Sequence, residues 1–409
     1  MIRLRAQWVF TGDGPPIRNG SVVIEDGLFL SEEEFVGENT IDLGAVALIP
    51  GLINTHTHLE FSDLRAPLEP RADFAAWIQQ VIASRQSRSI SPEESIQTGL
   101  REVASTGTAA VGEIATRDWL FQSEIKADRR RIRFYREYLG LRSEQVIPTL
   151  AAARKFLDQG QELTPGSVGL SPHAPYSLHP KLFAGLCDLA AEKQVPLTMH
   201  LAESPAELQL LSSGTGSLVD LFSRMGIWRD DVIPRQTRPM DYLKRLAGLP
   251  HVLLAHGNLL DEQELDFIAE HPEFSIAYCP RTFAAMQSGE HPWRRMHERG
   301  INITLGTDSR ASNPDLSIWE ELRFLQKQAP DVPCSDLLQL ATANAGKALA
   351  MDRGTIAPGQ AADLCVIALP DSFPVKDGFD SQRHLFAGEI SKIMLDGEWL
   401  NRPIAVNRV

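Results

Sequence analysis

The chain has 409 residues, 43% hydrophobic and 23% charged, enough to bury the core of one α/β barrel plus an appendage. A formal net charge of −13 argues against a nucleic-acid or anionic-membrane surface, so neither partner is expected. The opening MIRLRAQWVFTGDG has no apolar core of signal-peptide length, no run approaches a membrane span, and Cys187, Cys279, Cys334 and Cys365 form no CxxC pair, so a soluble cytoplasmic protein is expected.

Residues 1–49 hold short alternating pieces with turn signals, among them WVFTGDGPP and GSVVIEDGLFL. VALIPGLINTHTH then reads as the first of eight apolar, β-branched runs that end in polar residues. The others are TAAVGEI, RIRFYREYLG, SVGLSPHAPY, VPLTMHLAES, HVLLAHGNLL, FSIAYCPRTF and INITLGTDS. Amphipathic stretches such as HPKLFAGLCDLAAEKQ and DEQELDFIAEHP lie between them. Buried parallel strands separated by crossover helices look like this, and eight repeats predict an α/β (β/α)8 TIM barrel. The basic run ADRRRIRFYR reads as a solvated helix end leading into a strand.

Residues 212–250 make a long break between the fifth and sixth strands. Long insertions of this kind sit on the catalytic face, so a lid-like role is expected. GTIAPGQAADLCVIAL and ISKIMLDGEWL near the C-terminus resemble the N-terminal pieces. The expected division is a composite β-sandwich from 1–49 plus 355–409, and a barrel domain over 50–354.

A barrel of this kind builds its site from the C-terminal ends of its strands. Strand 1 ends in His56 and His58, strand 4 in His173, strand 5 in His200 and, three residues on, Glu203. Strand 6 ends in His256 and strand 8 in Asp308. Side chains at i and i+2 of a strand point the same way, so His56 and His58 can share one metal. Zinc accepts imidazole nitrogen and carboxylate oxygen and keeps a position for water, which makes His56, His58, His200 and Asp308 the candidate ligand set. Glu203 can reach such a water and move its proton, although it could instead cap the helix near SPAEL. His256 would stabilise or relay charge, or serve as a structural histidine.

PGLINTHTHLE, SPHAPYSLHP, HLAES, LAHGNLLDEQE, GTDSRASNPDLSIWEELR and GTIAPGQAADL resemble the amidohydrolase superfamily. Within it the likeness is to the mononuclear deaminase branch of cytosine, guanine and methylthioadenosine/S-adenosylhomocysteine deaminases. HTHLEFSDL, CPRT, HPWRRM and GTDSRASNPDLS point further, to aminodeoxyfutalosine deaminase-like proteins. The resemblance implies one divalent metal, Zn²⁺ first and Fe²⁺ second, on His56, His58, His200 and Asp308. Glu203 would carry a proton to a ring nitrogen, Asp308 would pass the water proton to departing ammonia, and His256 would steady the nucleophile. His173, Glu60, Arg281 and Ser312 would contact a small heterocyclic substrate. Binuclear members need a bridging lysine at the end of strand 4, and His173 stands there instead. The aminodeoxyfutalosine-type pattern has a histidine after CPR-S/T, where this chain has Phe283, so an altered substrate contact is expected.

The reading is a metal-dependent hydrolytic deaminase. The runner-up is a hydrolase of the same fold with another leaving group, such as a chlorotriazine-type dehalogenase or a cyclic amide hydrolase. A glutamate at 203 is expected in the deaminase and not in the chlorohydrolase. A third reading, a barrel without activity used as a scaffold, expects a missing ligand. By analogy with other barrel enzymes a homodimer is expected.

Overall fold

A computed structural model describes residues 1–400 apart from 70–72, 123–124, 126–127, 165, 288 and 371–384. The parts of the expected C-terminal segment at 371–384 and 401–409, and Ala127 of the basic run, lie outside the described residues. Eight parallel strands form one sheet in strict chain order. They are β1 (Leu52–Thr57), β2 (Thr108–Ala115), β3 (Ile132–Tyr138), β4 (Val168–Pro172), β5 (Leu197–Leu201), β6 (Val252–His256), β7 (Phe274–Tyr278) and β8 (Asn302–Leu305). A parallel bridge between Thr57 and Asp308 links the last strand's end to the first, so the sheet is a nearly closed barrel. Almost every residue of these strands is buried, which is why the runs lack an inside-outside alternation.

The chain divides into two compact units. The first comprises Met1–Asn54, Arg101–Ala110 and Ser317–Val409, the second Thr55–Leu100 and Val111–Leu316. In the first, two further sheets arise from the N- and C-terminal segments. One is four-stranded, in the order Leu28–Leu30, Ser21–Glu25, Ile2–Arg5, Thr40–Asp42. The other is six-stranded, with Trp8–Val9 and Val46–Pro50 in one half and Leu364–Ala368 and Glu389–Leu395 in the other. Leu4, Val22, Ile24 and Phe29 of the former share one apolar core with Leu48, Leu364, Val366 and Met394 of the latter.

The run 46–58 differs from the single strand expected. Val46–Pro50 pairs antiparallel with Leu364–Ala368, and the barrel strand begins only after Gly51. A Cβ at Gly51 would lie 2.6 Å from the Ala109 Cβ and 2.8 Å from that of Asp363, so only glycine fits the crossing between sheets. The basic run also differs: a single 3-10 turn, Arg129–Arg131, precedes β3, and the Asp128 carboxylate accepts from the Arg130 N–H.

In the second unit the 212–250 insertion folds into two short helices, Ser217–Arg224 and Pro239–Leu246. Leu218, Leu221 and Phe222 of the first pack with Leu210, Leu211, Tyr176 and Ala75, so this connection is anchored by apolar burial. No helix among the described residues is long and apolar enough to cross a membrane.

Candidate active site

Every strand-end histidine expected at the mouth arrives there. The metal-binding atoms offered by His56, His58 and His200 all lie within 4.8 Å of one another. Asp308 Oδ1 is 3.6 Å from His56 Nε2 and 3.5 Å from His58 Nε2. Donors about 2.05 Å from a tetrahedral Zn²⁺ are about 3.3 Å apart, so these spacings fit a single ion with small adjustment. His200 is turned by its Nδ1, which lies 2.9 Å from the His173 carbonyl oxygen, leaving Nε2 toward the cluster.

Local sequence explains the close packing. A Cβ at Gly306 would stand 2.8 Å from the His56 Cβ, so the chain before Asp308 must be glycine. Ala202, His256 and Asp308 follow or end strands with φ of 55°, 71° and 56°. Such left-handed backbone costs non-glycine residues energy and collects where side chains must be aimed at a site.

Glu203 and His256 face each other, with Oε1 to Nε2 at 3.6 Å. His256 Nε2 is buried and has no hydrogen-bond partner among the described residues. Burial pushes the His256 imidazole down to about 4, against the pull of Asp308. Burial and the neighbouring His56 push His58 down to about 3, and His200 is lowered well below its usual value for the same reasons. These rings are neutral near pH 7, the form that donates a lone pair to a metal. For Asp308 burial works against ionisation, but the hydrogen bond to His56 and the charges of His58 and His256 hold it below the usual carboxylate range. For Glu203 burial dominates, and with repulsion from Asp308 and Glu207 it raises the carboxyl well above its usual value. Two carboxyls lining one cavity are thus driven in opposite directions, one toward a ligand and the other toward a proton carrier.

A cavity of about 280 Å³ opens above this cluster. His58, His173, His200, Glu203, His256 and Asp308 form its polar floor. Glu60 lines it too, accepting from Arg85 Nη2 at 2.9 Å and from the Thr116 hydroxyl at 2.8 Å. Much of the remaining wall is apolar, with Trp77, Ile78 and Val81 on one side and Phe222, Met225 and Ile227 from the insertion.

Two expected substrate contacts lie elsewhere. Ser312 donates to Asp308 Oδ2 at 2.7 Å and is not among the cavity-lining residues, so its place is behind the carboxylate. Arg281 forms a two-pronged pair with Asp315, at 3.0 and 2.7 Å, and is likewise outside the lining. Phe283 packs edge-on to His291 and near Tyr278, also away from the cavity, so the histidine-to-phenylalanine departure alters no cavity-lining group.

The sequence reading missed Arg85, Thr116, Glu137 and Glu207. Glu137 is next to last in β3 (Ile132–Tyr138), so the strand-end rule that found Asp308 would have found it. Glu207 is fully buried at the start of the helix Pro205–Ser213. Its Oε1 accepts from the Ala202 N–H and its Oε2 from the Glu203 N–H, both at 2.9 Å. Asn258 and Gln287 donate to the Glu203 carbonyl at 2.9 and 3.0 Å. The backbone of Glu203 is therefore clamped on both sides. Ser204, not Glu203, caps the helix, and the S-x-x-E spacing of Ser204 and Glu207 was the available signal. Glu207→Gln turns an N–H donor toward a backbone N–H. We expect kcat to fall about 10- to 100-fold with KM and metal content little changed, since a buried charged acceptor contributes about 1.5–3 kcal/mol.

The sequence pattern of the amidohydrolase family matches residues 47–400. The chain belongs to the amidohydrolase family. Its amidohydrolase relatives include the 5-methylthioadenosine/S-adenosylhomocysteine deaminase of Pyrococcus furiosus, 28% identical, with 96% of this chain and 94% of that protein covered. The enzyme of the same name from Halalkalibacterium halodurans is 30% identical over 87% of this chain and 82% of its own. Among solved structures, Helicobacter pylori aminofutalosine deaminase in complex with methylthio-coformycin superposes with a TM-score of 0.83 at 22% identity, covering 98% and 100% of the two chains. An adenosine deaminase from Xanthomonas campestris with bound zinc gives 0.74 at 22% identity over 97% and 92%. Atrazine chlorohydrolase from Arthrobacter aurescens gives 0.77 at 22% identity over 98% and 95%. These likenesses show the amidohydrolase fold.

Metal-free protein also carries a pH signature. Burial, reinforced by Glu60, pushes Glu137 up to about 8, and burial pushes Glu207 up to about 7. In the unfolded chain both ionise near their usual value of about 4.5, so the folded state holds more protons and stability falls as pH rises toward 8. Between pH 4.5 and 6.5 the buried histidines, whose folded values are lowered, act in the opposite sense and offset this. Above about pH 6.5 they are neutral in both states and the carboxyls act alone. We expect the thermal midpoint of chelator-treated protein to drop from pH 6.5 to 8.5, and Glu137→Gln to flatten part of that slope.

Proposed function

We propose that this amidohydrolase is a metal-dependent hydrolytic deaminase that releases ammonia from an aminated N-heterocycle, with purine nucleosides as the first substrate class. One observation carries the reading: four metal-donor groups and an elevated carboxyl, Glu203, meet at the floor of a single cavity. His56, His58, His200 and Asp308 would hold one ion, and Zn²⁺ suits three imidazoles and a carboxylate better than a hard oxygen-seeking cation. When bound, the metal supplies acidified water as a nucleophile near neutral pH.

The chain's own residues do the rest. Glu203, protonated in its buried setting, gives its proton to a ring nitrogen, which makes the amine-bearing carbon electrophilic. Asp308 accepts the remaining proton of the attacking oxygen and passes it to the leaving amine, and the water that enters for the next turnover returns a proton to Glu203. His256, neutral and 3.6 Å from Glu203, steadies the attacking oxygen. His173 and Glu60 stand on the cavity wall, where they would contact substrate. The deaminase names of the curated relatives support ammonia as the leaving group and a nucleoside as its carrier. The four buried, unbridged cysteines suit the reducing cytoplasm, and a homodimer is the assembly we assign by analogy.

The test is ammonia release by zinc-loaded protein across cytosine, guanine, adenosine, methylthioadenosine, S-adenosylhomocysteine, aminodeoxyfutalosine and aminotriazines, with chloride release from chlorotriazines alongside. Chloride without ammonia would overturn the reading in favour of the dehalogenase.

A further inference from the structure

Glu137 is a polar group of the cavity wall that the reaction above does not use. It is 6% exposed and lines the cavity, and its Oε1 is buried with no hydrogen-bond partner among the described residues. A buried acceptor left unmade costs folding energy, so one facing a cavity points to a ligand group that completes it.

The neighbouring cations are committed elsewhere. Arg136 reaches Asp118, the Ala115 carbonyl and the main-chain oxygen of Glu137. Arg85 Nη2 is shared between Glu60 and Thr116. On its other side Glu137 stands close to the reaction centre. Its carboxyl oxygen and the ring nitrogens of His173 and His200 lie within 4.8 Å of one another. His173 Nδ1 is taken by Ser177 Oγ at 2.6 Å, so its other nitrogen is the one left toward the cavity.

The charges around this point select the class of group. A cationic substituent would sit between Arg85 and the metal-donor cluster, close to the expected divalent ion. An anionic one would meet Glu137 and Glu60 at short range. A neutral donor avoids both repulsions, and an alcohol can give its proton to Glu137 Oε1. From this geometry we infer that Glu137 is a specificity-determining contact that binds a hydroxyl of the substrate beside the ring being deaminated. The inference rests on the deaminase reading and deepens it: a hydroxylated nucleoside is preferred over a free base or a deoxy analogue.

The experiment is a cycle on zinc-loaded protein. Wild type, Glu137→Gln and Glu137→Leu are assayed for kcat/KM on methylthioadenosine and on its 2′-deoxy and 3′-deoxy forms, with metal content measured for each. Wild type should lose roughly 10- to 100-fold on one of the two deoxy forms, the range for leaving a buried acceptor without its partner. Glu137→Leu should lose a similar factor on methylthioadenosine and nothing further on that deoxy form. Glu137→Gln, which keeps an acceptor, should fall between. Losses that multiply independently for both deoxy forms overturn the inference while leaving the deaminase intact. Loss of metal in both variants overturns it in favour of a metal-holding carboxylate. Failure of wild type on all three nucleosides, with metal bound, sinks the deaminase reading on nucleosides and this inference with it.

Discussion

Glu203→Gln should lower kcat for deamination by about 10³-fold, within the 10²–10⁴ range for general acid–base catalysis, with one metal per chain retained. The expectation follows from the separation of roles at the cavity floor. Asp308 is held below the usual carboxylate range beside three histidines, whereas burial raises the Glu203 carboxyl well above it. Glutamine preserves the shape and the backbone clamp but has no proton to give. If Glu203 only supported the fold, the variant would turn over normally and lose about 1 kcal/mol of stability, the usual cost of a lost cap. The structure gives the capping role to Ser204, so the two outcomes are well separated. Ammonia release and metal analysis on the same preparation distinguish them.

Removing the metal should abolish activity to background, and stoichiometric Zn²⁺ should restore it. The same treatment should lower thermal stability, because an ion held at 100 to 1,000 times its Kd contributes about 3–4 kcal/mol to the folded state. His58→Ala should be inactive and should not recover with added zinc at that level. His58 faces Asp308 at 3.5 Å, and its loss removes one of the four donors grouped there. A chelated protein that stays fully active would refute the assignment of His56, His58, His200 and Asp308 as ligands. Metal content and calorimetry follow the two effects independently of any substrate.

The barrel was legible because eight runs share one physical signature, apolar on both faces with polar ends, and parallel strands buried on both faces require it. The donor set was legible for a related reason. Residues that end such runs share one rim, so His56 and Asp308 could be paired across most of the chain. Less legible was what lies behind and between those residues. Ser312 and Arg281 sit in stretches near the rim, but their side chains turn to Asp308 and Asp315, and orientation inside a loop leaves no periodic trace. Gly51 hid a break because an apolar run continues across it and only the crowding of Ala109 and Asp363 shows why the strand stops. Glu137 was readable by the rule already in use.

The cavity floor and the cavity wall come from different parts of the chain. Every proposed metal donor stands at or just beyond a barrel strand's end, while Phe222, Met225 and Ile227 come from the connection between β5 and β6. Selection or design can therefore rewrite that one connection, residue by residue or wholesale, and change what enters while the reaction centre keeps its geometry. A grafted connection from a relative should carry its donor's substrate preference with it.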